Sequence, residues 1–316
     1  MQETALIIIN PHAGGFKREP VLGAIRRRFA PAGIAYDILE AHGEESMARA
    51  IHDGMSRGCT FIVVAGGDGT VSRAAAELAG SPIPLGIVPA GTGNILARDL
   101  QIPLDTDEAV RLLCAPRATR TIDAMRIDGR LYFLTAGVGI SSLTVRDIKR
   151  SDKRRFGLLA YVGTAIGKLF KFQSNRFEVI IDGEMHRFHS PEVAVANSGG
   201  VVEMVMPRMP EISVDDGYLD VVIITARGPL DYPRLVFNLL RRHTSQPDVR
   251  FLRAKRSVII RPERPLPVQA DGDIVGTSPV EVEVVPHVVK VIVPPATVRG
   301  MTARPPAGGA PQHSVD

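Results

Sequence analysis

The stretch FIVVAGGDGTVSRAAAEL, residues 61–78, decides the fold class of this chain. It begins as an unbroken apolar run, which is typical of a strand buried on both faces of a sheet. The run ends at two glycines, and an aspartate, a third glycine and a threonine precede a segment with helical spacing. A buried strand that leads through a glycine-rich turn into a helix is the repeating unit of a parallel α/β sheet, and we predict that fold here.

The flanking sequence repeats this unit over the first 120 residues. The predicted strands are ALIIIN, AYDILEA, FIVVAGG and PLGIVPAG, and the predicted helices cover residues 20–29, 44–58, 71–78 and 105–113. Apolar strands that alternate with amphipathic helices predict a sheet covered on both faces, which is a three-layer α/β domain.

From about residue 122, short strand-like segments follow one another. Asp-Gly pairs at 128–129 and 182–183 separate alternating runs and predict hairpins. Helical pattern persists mainly at 154–172 and 229–243. These features predict an antiparallel β-sandwich with two attached helices.

We therefore divide the chain into an α/β domain and a β-sandwich domain. The predicted boundaries are 1–121, with 289–298 as a candidate addition to the first domain, then 122–288, and a disordered tail over 299–316. The tail has no hydrophobic periodicity, and a segment of this kind cannot build a core.

Composition narrows the class of protein. The 316 residues carry a net charge of +4, which fits a phosphorylated ligand or an anionic membrane surface and is too small to indicate nucleic acid. The only cysteines are Cys59 and Cys114, so we expect a reducing cytoplasm. The longest apolar stretch, Phe156 to Phe170, contains glycines and a lysine and is too short to cross a bilayer. We expect a soluble protein without a signal peptide.

Three glycine-rich segments follow predicted strands of the first domain: NPHAGG (10–15), GGDGT (66–70) and PAGTGN (89–94). Ligands of α/β sheets bind beyond these strand ends, and glycines allow the backbone to approach a phosphate. Asp68 would repel phosphates unless a cation lay between them, so it implies Mg²⁺. The simpler interpretation makes each segment a tight turn; three together favour a nucleotide site.

The common nucleotide fingerprints are missing. No G-x-x-x-x-G-K-[ST] occurs, since GTAIGKL at 163–169 has the wrong spacing, and no G-x-G-x-x-G follows a strand. The chain is therefore predicted to be neither a P-loop protein nor a Rossmann dehydrogenase.

The three glycine segments, in this order and spacing, resemble the catalytic domain of the diacylglycerol kinase and sphingosine kinase family, in its bacterial lipid kinase branch. The likeness continues through NSGGVVEMVMPRMPEISVDDGYLDVVII (197–224) and ADGD (270–273), and it covers nearly the whole chain up to about residue 298. GGDGT alone is shared with NAD kinases and, more loosely, with phosphofructokinases.

The resemblance implies an NAD-kinase-like α/β domain, ATP at the domain interface and phosphoryl transfer to a lipid hydroxyl. The nucleotide-binding residues that follow from the glycine segments and the resemblance are Asn10, Pro11, His12, Ala13, Gly14, Gly66, Gly67, Asp68, Gly69, Thr70, Val71, Ser72, Gly91, Thr92 and Asn94. The chain departs from the family at Ser72 and Arg73, where Asn-Glu is common, at Ile95, where Asp is common, and near His42, where a threonine is missing. These changes bear on the adenine and ribose contacts more than on the phosphate contacts.

Phosphoryl transfer needs a group that orients or deprotonates the attacking hydroxyl. QADGDIVG supplies Asp271 and Asp273, and the resemblance assigns the base to Asp273, where the family has a longer glutamate. We predict Asp273 and Asp68 as the catalytic carboxylates. A plain hairpin turn is the alternative interpretation of D-G-D.

The segment SVDDGYLDV (213–221) can be a simple Asp-Gly turn. The resemblance implies instead that it holds a structural Mg²⁺, with Asp216 as the carboxylate ligand and Ser213 and Tyr218 as carbonyl ligands. Oxygen ligands of this kind suit a hard cation.

Residues 146–172 place six basic residues before an apolar segment with four aromatic side chains. This pattern suits contact with an anionic membrane surface, and equally a solvated charge run before a core helix.

The predicted function is Mg-ATP-dependent phosphorylation of the primary hydroxyl of diacylglycerol, giving phosphatidate and ADP in phospholipid biosynthesis. The alternatives are a long-chain-base kinase, an NAD kinase and a catalytically silent lipid- or nucleotide-binding protein. We expect a cytoplasmic location with peripheral contact at the inner membrane face and no nucleic-acid partner, and a homodimer is compatible with these expectations.

Overall fold

The computed structural model describes residues 3–11, 18–147, 174–200, 212–224, 249–295 and 297. In the first part, strands and helices alternate. They are β1 (Thr4–Ile9), α1 (Arg18–Phe29), β2 (Ala35–Glu40), α2 (Glu44–Ser56), β3 (Phe61–Gly66), α3 (Asp68–Glu77), β4 (Leu85–Pro89), α4 (Ile95–Asp99) and α5 (Thr106–Cys114).

The strands of this part form a parallel sheet in the order β2-β1-β3-β4. Every residue of β3 is buried, as an apolar run between two helical layers requires. One face packs on α1 and α5 through residues such as Phe29 and Val110, and the other packs on α2 and α3 through Ile51 and Leu78. The predicted three-layer α/β domain is confirmed.

Most of the second part is antiparallel. Its elements are β5 (Ala118–Ile127), β6 (Arg130–Tyr132), β7 (Thr135–Gly139), α6 (Ile140–Asp147), β8 (Asn175–Ile181), β9 (Glu184–Ser190), β10 (Glu192–Ala196), β11 (Leu219–Ile224), β12 (Val249–Ala254), β13 (Ser257–Pro262), β14 (Pro267–Ala270), β15 (Asp273–Thr277) and β16 (Val280–Val293).

Six of these strands form a second sheet, in the order β12-β11-β10-β7-β14-β15. This sheet packs on β5, β8, β13 and β16 through one apolar core that includes Phe177, Val195 and Val258. Two sheets around a shared core form a sandwich, so the predicted β-sandwich is also confirmed.

The long strand β16 joins the two parts. It pairs antiparallel with β13 and β5, and near its end Val291 pairs parallel with Leu85 of β4. The first sheet therefore continues from the parallel strands into the sandwich, and it has ten strands among the residues that the structure describes. Where one domain ends and the next begins stays a prediction.

The local predictions were right at the turns and less accurate at helix boundaries. The Asp-Gly pairs at 128–129 and 182–183 both form hairpin turns with positive φ angles, as predicted. Helix α3 begins at Asp68, three residues before the predicted start, so GGDGT extends into its first turn. Helix α4 was not predicted. The helices predicted at 154–172 and 229–243 and the tail after 299 lie outside the described residues.

Within the described ranges, no helix combines the length and the apolar character that spanning a membrane would require.

Candidate functional site

The carboxyl ends of β1, β3 and β4 lie side by side, as the parallel sheet requires. The backbone N–H of Asn10 donates to the Ala65 carbonyl at 3.2 Å, and the N–H of Ala90 donates to the Gly66 carbonyl at 3.0 Å. The side-chain amide of Asn10 donates to Thr70 Oγ1 at 2.8 Å. The structure thus brings the three predicted loops together at one edge of the sheet.

Two glycines let the second and third loops touch. A Cβ on Gly91 would lie 2.5 Å from the Gly67 Cα, and a Cβ on Gly67 would lie 3.2 Å from the Gly91 Cα. Gly67 has φ −90°, which any residue can adopt. These positions therefore require glycine because the backbones approach closely, and not because of a left-handed conformation. Gly69 differs, since a Cβ there would have no atom within 4 Å.

Asp68 has a role in the fold that its sequence context does not reveal. It is the first residue of α3, and its Oδ1 accepts a hydrogen bond from the N–H of Ile95, the first residue of α4, at 2.5 Å. Burial raises the pKa of the Asp68 carboxyl, and N–H donors that include Ile95 and Asn94 act in the opposite direction. The carboxylate joins the second loop to the third and satisfies an N–H at the start of α4. The sequence predicts a role for Asp68 toward a cation and gives no indication of this contact with α4.

The other predicted nucleotide-binding residues differ in how exposed they are. Thr70 and Val71 are buried, and Val71 lies in the apolar core. Asn94 has φ 49°, and its side chain bonds back to the main chain of Gly91 at 2.9 Å in both directions. Pro11 is half-buried and Thr92 is exposed. His12, Ala13 and Gly14 lie outside the described residues.

The D-G-D segment is a hairpin turn between β14 and β15, with φ 47° at Asp271 and 83° at Gly272. The Asp271 carboxylate accepts hydrogen bonds from the N–H groups of Phe133 and Leu134, each at 2.9 Å, and of Thr135 at 3.2 Å. It also accepts from the Ser72 hydroxyl of α3. Burial raises the pKa of Asp271 and these four donors act against that rise. Asp271 therefore anchors the turn.

Asp273 is placed differently, two residues later at the start of β15. Its side chain is 65% exposed and lies 3.4 Å from the Arg73 guanidinium, whose Nε is 2.9 Å from Glu44. Ser72 and Arg73, two departures from the family pattern, therefore both contact the D-G-D turn. The family resemblance relates these two positions to adenine and ribose contacts. Ser72 and Asp271 are 199 residues apart, so no local sequence pattern predicts that they touch.

A second set of contacts joins the two halves beside this turn. The Ser198 hydroxyl donates to the Asp99 carboxylate of α4, and a Cβ on Gly200 would lie 2.9 Å from Asp99 Oδ1. Asn197 is fully buried and its amide donates to the carbonyls of Asp123 at 3.0 Å and Phe133 at 2.9 Å. The NSGG segment thus docks the sandwich against the α/β part.

The segment proposed to hold a structural Mg²⁺ contains several paired carboxylates. Asp216 Oδ1 accepts from the Tyr218 N–H at 3.1 Å, and Oδ2 pairs with Arg253. Ser213 Oγ donates to Asp215 at 2.7 Å. In the part of the chain that the structure describes, no three His, Cys, Asp or Glu side chains are grouped to hold a metal. The assignment of Ser213, Asp216 and Tyr218 as ligands stays a prediction.

Comparison with known proteins agrees with this architecture. Residues 4–127 match the family model of the diacylglycerol kinase catalytic domain. Residues 135–293 match the YegS C-terminal NAD kinase beta sandwich-like domain. The fold and the matched domains define a lipid kinase. More narrowly, the chain belongs to the diacylglycerol kinase catalytic-domain family, in its branch of bacterial diacylglycerol kinases and YegS-like lipid kinases.

The relatives cover most of the chain at modest identity. A diacylglycerol kinase of Mycobacterium tuberculosis is 28% identical over 91% of this chain and 94% of its own length. A probable YegS-like lipid kinase of Xanthomonas oryzae pv. oryzae is 30% identical over 66% of this chain and 69% of its own. The crystal structure of a putative diacylglycerol kinase from Bacillus anthracis str. Sterne superposes with a TM-score of 0.77, covering 93% of this chain and 96% of that one. At 24% identity this last likeness shows the fold alone.

Proposed function

We propose that this lipid kinase transfers the γ-phosphoryl group of Mg-ATP to the primary hydroxyl of diacylglycerol, giving phosphatidate and ADP. The similarity to the diacylglycerol kinase of Mycobacterium tuberculosis supports diacylglycerol as the acceptor. ATP is the donor that the kinase family implies.

The observation that carries the proposal is the bond between Ser72 and Asp271. Ser72 belongs to α3, whose N-terminus lies within the GGDGT segment at Asp68, and Asp271 belongs to the turn that also presents Asp273. A helix N-terminus with bare glycine amides attracts phosphate. A lipid hydroxyl beside Asp273 would therefore face a phosphate bound at the start of α3.

The residues divide the chemistry between two sides of the site. On one side, the loops at Asn10, 66–72 and 91–94 bind the phosphates, and Asp68 would be the carboxylate that holds the nucleotide's Mg²⁺. That ion neutralises the phosphate oxygens when it is bound. On the other side, Asp273 orients the acceptor hydroxyl and takes its proton. Asp271 holds Asp273 in position, and Arg73 supplies a positive charge beside it.

Gly69→Ala tests the nucleotide side without disturbing the fold. A methyl group at Gly69 meets no protein atom, and alanine suits a helix better than glycine. We expect an unchanged or higher melting temperature and a loss of ATP affinity of about tenfold or more, measured by calorimetry, because the methyl group occupies space that we assign to phosphate. Gly23→Ala in α1 is the matched control, since its Cβ meets only the end of the flexible Arg27 side chain. Equal ATP affinity in the two variants would place the phosphates elsewhere.

A second experiment identifies the acceptor. The purified chain is incubated with labelled ATP, Mg²⁺ and, separately, diacylglycerol in micelles, a long-chain base and NAD. We expect label in phosphatidate. Label only in a phosphorylated long-chain base or in NADP would support one of the other kinase activities. Tight ATP binding with no labelled product would make the chain a silent binding protein.

We propose further that the protein works in the cytoplasm at the surface of an anionic membrane. The basic and apolar residues 146–172 that suggested this contact lie almost entirely outside the described residues. Co-sedimentation with vesicles of phosphatidylglycerol and of phosphatidylcholine tests the proposal, and equal binding to both would contradict it. The molar mass in solution, measured by light scattering, tests whether the protein is a homodimer.

A further inference from the structure

The turn after residue 212 is held by a guanidinium at the place where the family resemblance implies a metal ion. Arg253 pairs with Asp216 Oδ2, while Asp216 Oδ1 accepts the Tyr218 N–H at 3.1 Å. Both oxygens of the only carboxylate among the three expected ligands therefore have partners within the chain.

The strand register explains why Arg253 reaches this turn. Strands β11 and β12 are antiparallel, and Asp220 lies directly opposite Arg253. Opposed residues project to the same face of a sheet. Arg253 Nε consequently lies 3.6 Å from Asp220 Oδ1, and its guanidinium carbon lies 4.4 Å from the centre of the Tyr218 ring. One planar cation thus contacts two carboxylates and an aromatic face, which a guanidinium does better than an ammonium.

A divalent ion does not fit beside these contacts. An ion bound by Asp216 would lie next to the guanidinium and would have to displace a charge-assisted hydrogen bond. Asp220 Oδ2, by contrast, is buried and has no hydrogen-bond partner in the structure. With Arg253 present the two carboxylates share one fixed cation, and without it they would form an acidic pair open to a metal ion.

We propose that the Arg253 guanidinium supplies the positive charge beside Asp216 and Asp220, so that the folding of this turn does not depend on a divalent cation bound there. The proposal concerns stability and is independent of the phosphoryl-transfer assignment, because it can be tested with no nucleotide or lipid present. It also separates the two uses of Mg²⁺ in this protein, since only the ion that accompanies ATP would then be required.

Thermal unfolding of the full chain without nucleotide tests the proposal. We expect the wild type to have the same melting temperature in EDTA and in millimolar Mg²⁺. Arg253→Gln keeps a hydrogen-bond donor but removes the charge, and should melt at least about 2 °C lower in EDTA, with part of the loss recovered in Mg²⁺. Arg250→Gln, on the same strand with its guanidinium 5.7 Å from the Phe188 ring, is the matched control and should not respond to Mg²⁺.

Mn²⁺ binding followed by electron paramagnetic resonance gives a second, independent result. Arg253→Gln should bind one Mn²⁺ more than the wild type, and Arg253→Lys, which keeps the charge, should not. Stabilisation of the wild type by Mg²⁺, or equal Mn²⁺ binding by the wild type and Arg253→Gln, would overturn the proposal. If Arg253→Gln does not fold, a wild type and an Arg253→Lys variant that both ignore EDTA support it, and an Arg253→Lys variant that needs Mg²⁺ contradicts it.

Discussion

The chain contains two turns of nearly the same sequence, Asp182-Gly183-Glu184 and Asp271-Gly272-Asp273, and they have different surroundings. Each begins with an aspartate at positive φ that accepts three backbone N–H groups from another segment, residues 255–257 in one case and 133–135 in the other. Only the second receives a further hydrogen bond from α3. The family's D-G-E pattern therefore occurs literally at a turn remote from the nucleotide loops, while its variant D-G-D lies beside them.

The pKa values of the two aspartates are also shifted in opposite directions. At Asp182 burial acts to raise the pKa, but three N–H donors outweigh it and the pKa falls below its ordinary value. At Asp271 burial dominates and the pKa rises, although the donors are similar. The same set of three backbone hydrogen bonds therefore holds a turn within the sandwich at Asp182, whereas at Asp271 it is joined by a bond to α3 that links two parts of the molecule.

The largest effect should come from Asp273, the acid at the third position of the second turn, and the corresponding Glu184 of the first turn should show none. Asp273→Asn keeps the size of the side chain but cannot take a proton, so kcat should fall by about 10²- to 10⁴-fold with ATP affinity preserved. Glu184→Gln is the matched control and should turn over at the wild-type rate. Kinetics with labelled ATP measure kcat for both variants. An Asp273→Asn variant with the wild-type kcat would mean that Asp271 or water acts as the base.

The anchoring aspartates should show a smaller effect, mostly on stability. Asp271→Asn turns an amide toward donors such as the Phe133 N–H, so urea unfolding should show a loss of about 1–3 kcal/mol. Turnover should fall with it, because Asp273 loses its support. Asp182→Asn disturbs equivalent bonds and should leave turnover unchanged. If both variants lost activity equally, the contact with α3 would have no special role.

Ser72→Ala should have a still smaller effect, since it removes one donor and leaves the three backbone bonds in place. We expect a loss of about 0.5–1.5 kcal/mol in the free energy of unfolding and a modest fall in kcat. The double variant with Asp271→Asn measures the coupling between the two residues. Additive losses would show that the hydroxyl and the carboxylate do not support each other.

The smallest effect should be a difference in pH dependence. Because the folded-state pKa of Asp182 is lowered, its stabilising contribution is present above the unfolded value of 3.8 and is lost as the pH falls through the folded-state pKa. The free energies of unfolding of the wild type and Asp182→Asn should therefore converge as the pH falls from 5 to 3. At Asp271 the part of the stability that is linked to proton binding has the opposite sign, since it is present below 3.8 and is lost as the pH rises through the raised pKa. Parallel curves for Asp182→Asn would contradict this interpretation.

Local patterns in the sequence were enough to predict the fold class. The buried run at 61–66 and the Asp-Gly pair at 182–183 each determine their own conformation, and the structure has both as predicted. Contacts between distant segments were not predictable in this way. Helix α4 has only five residues, and its first N–H bonds to Asp68 in a different loop and not to the side chain of the preceding Asn94. The segment is therefore too short to show the periodicity from which a helix is predicted.

The same limit applies to the candidate site. The glycine loops could be grouped because parallel strands place their carboxyl ends together. The link from Ser72 and Arg73 to the D-G-D turn, and the position of Arg253 opposite Asp220, depend on how sheets and strands are assembled. The spacing of residues within a single sequence does not predict contacts of this kind between distant segments.

The strand β16 has a consequence for how the chain is made. Strand β4 ends at Pro89, and its neighbour in the sheet is β16, which pairs with it at Val291 and Leu85 and begins only at Val280. During synthesis on the ribosome, this edge of the parallel sheet therefore stays without its neighbouring strand until β16 has emerged. Open strand edges of this kind attract other chains. The nascent protein is thus open to aggregation at this edge while β1 to β4 have already been made and β16 is still inside the ribosome.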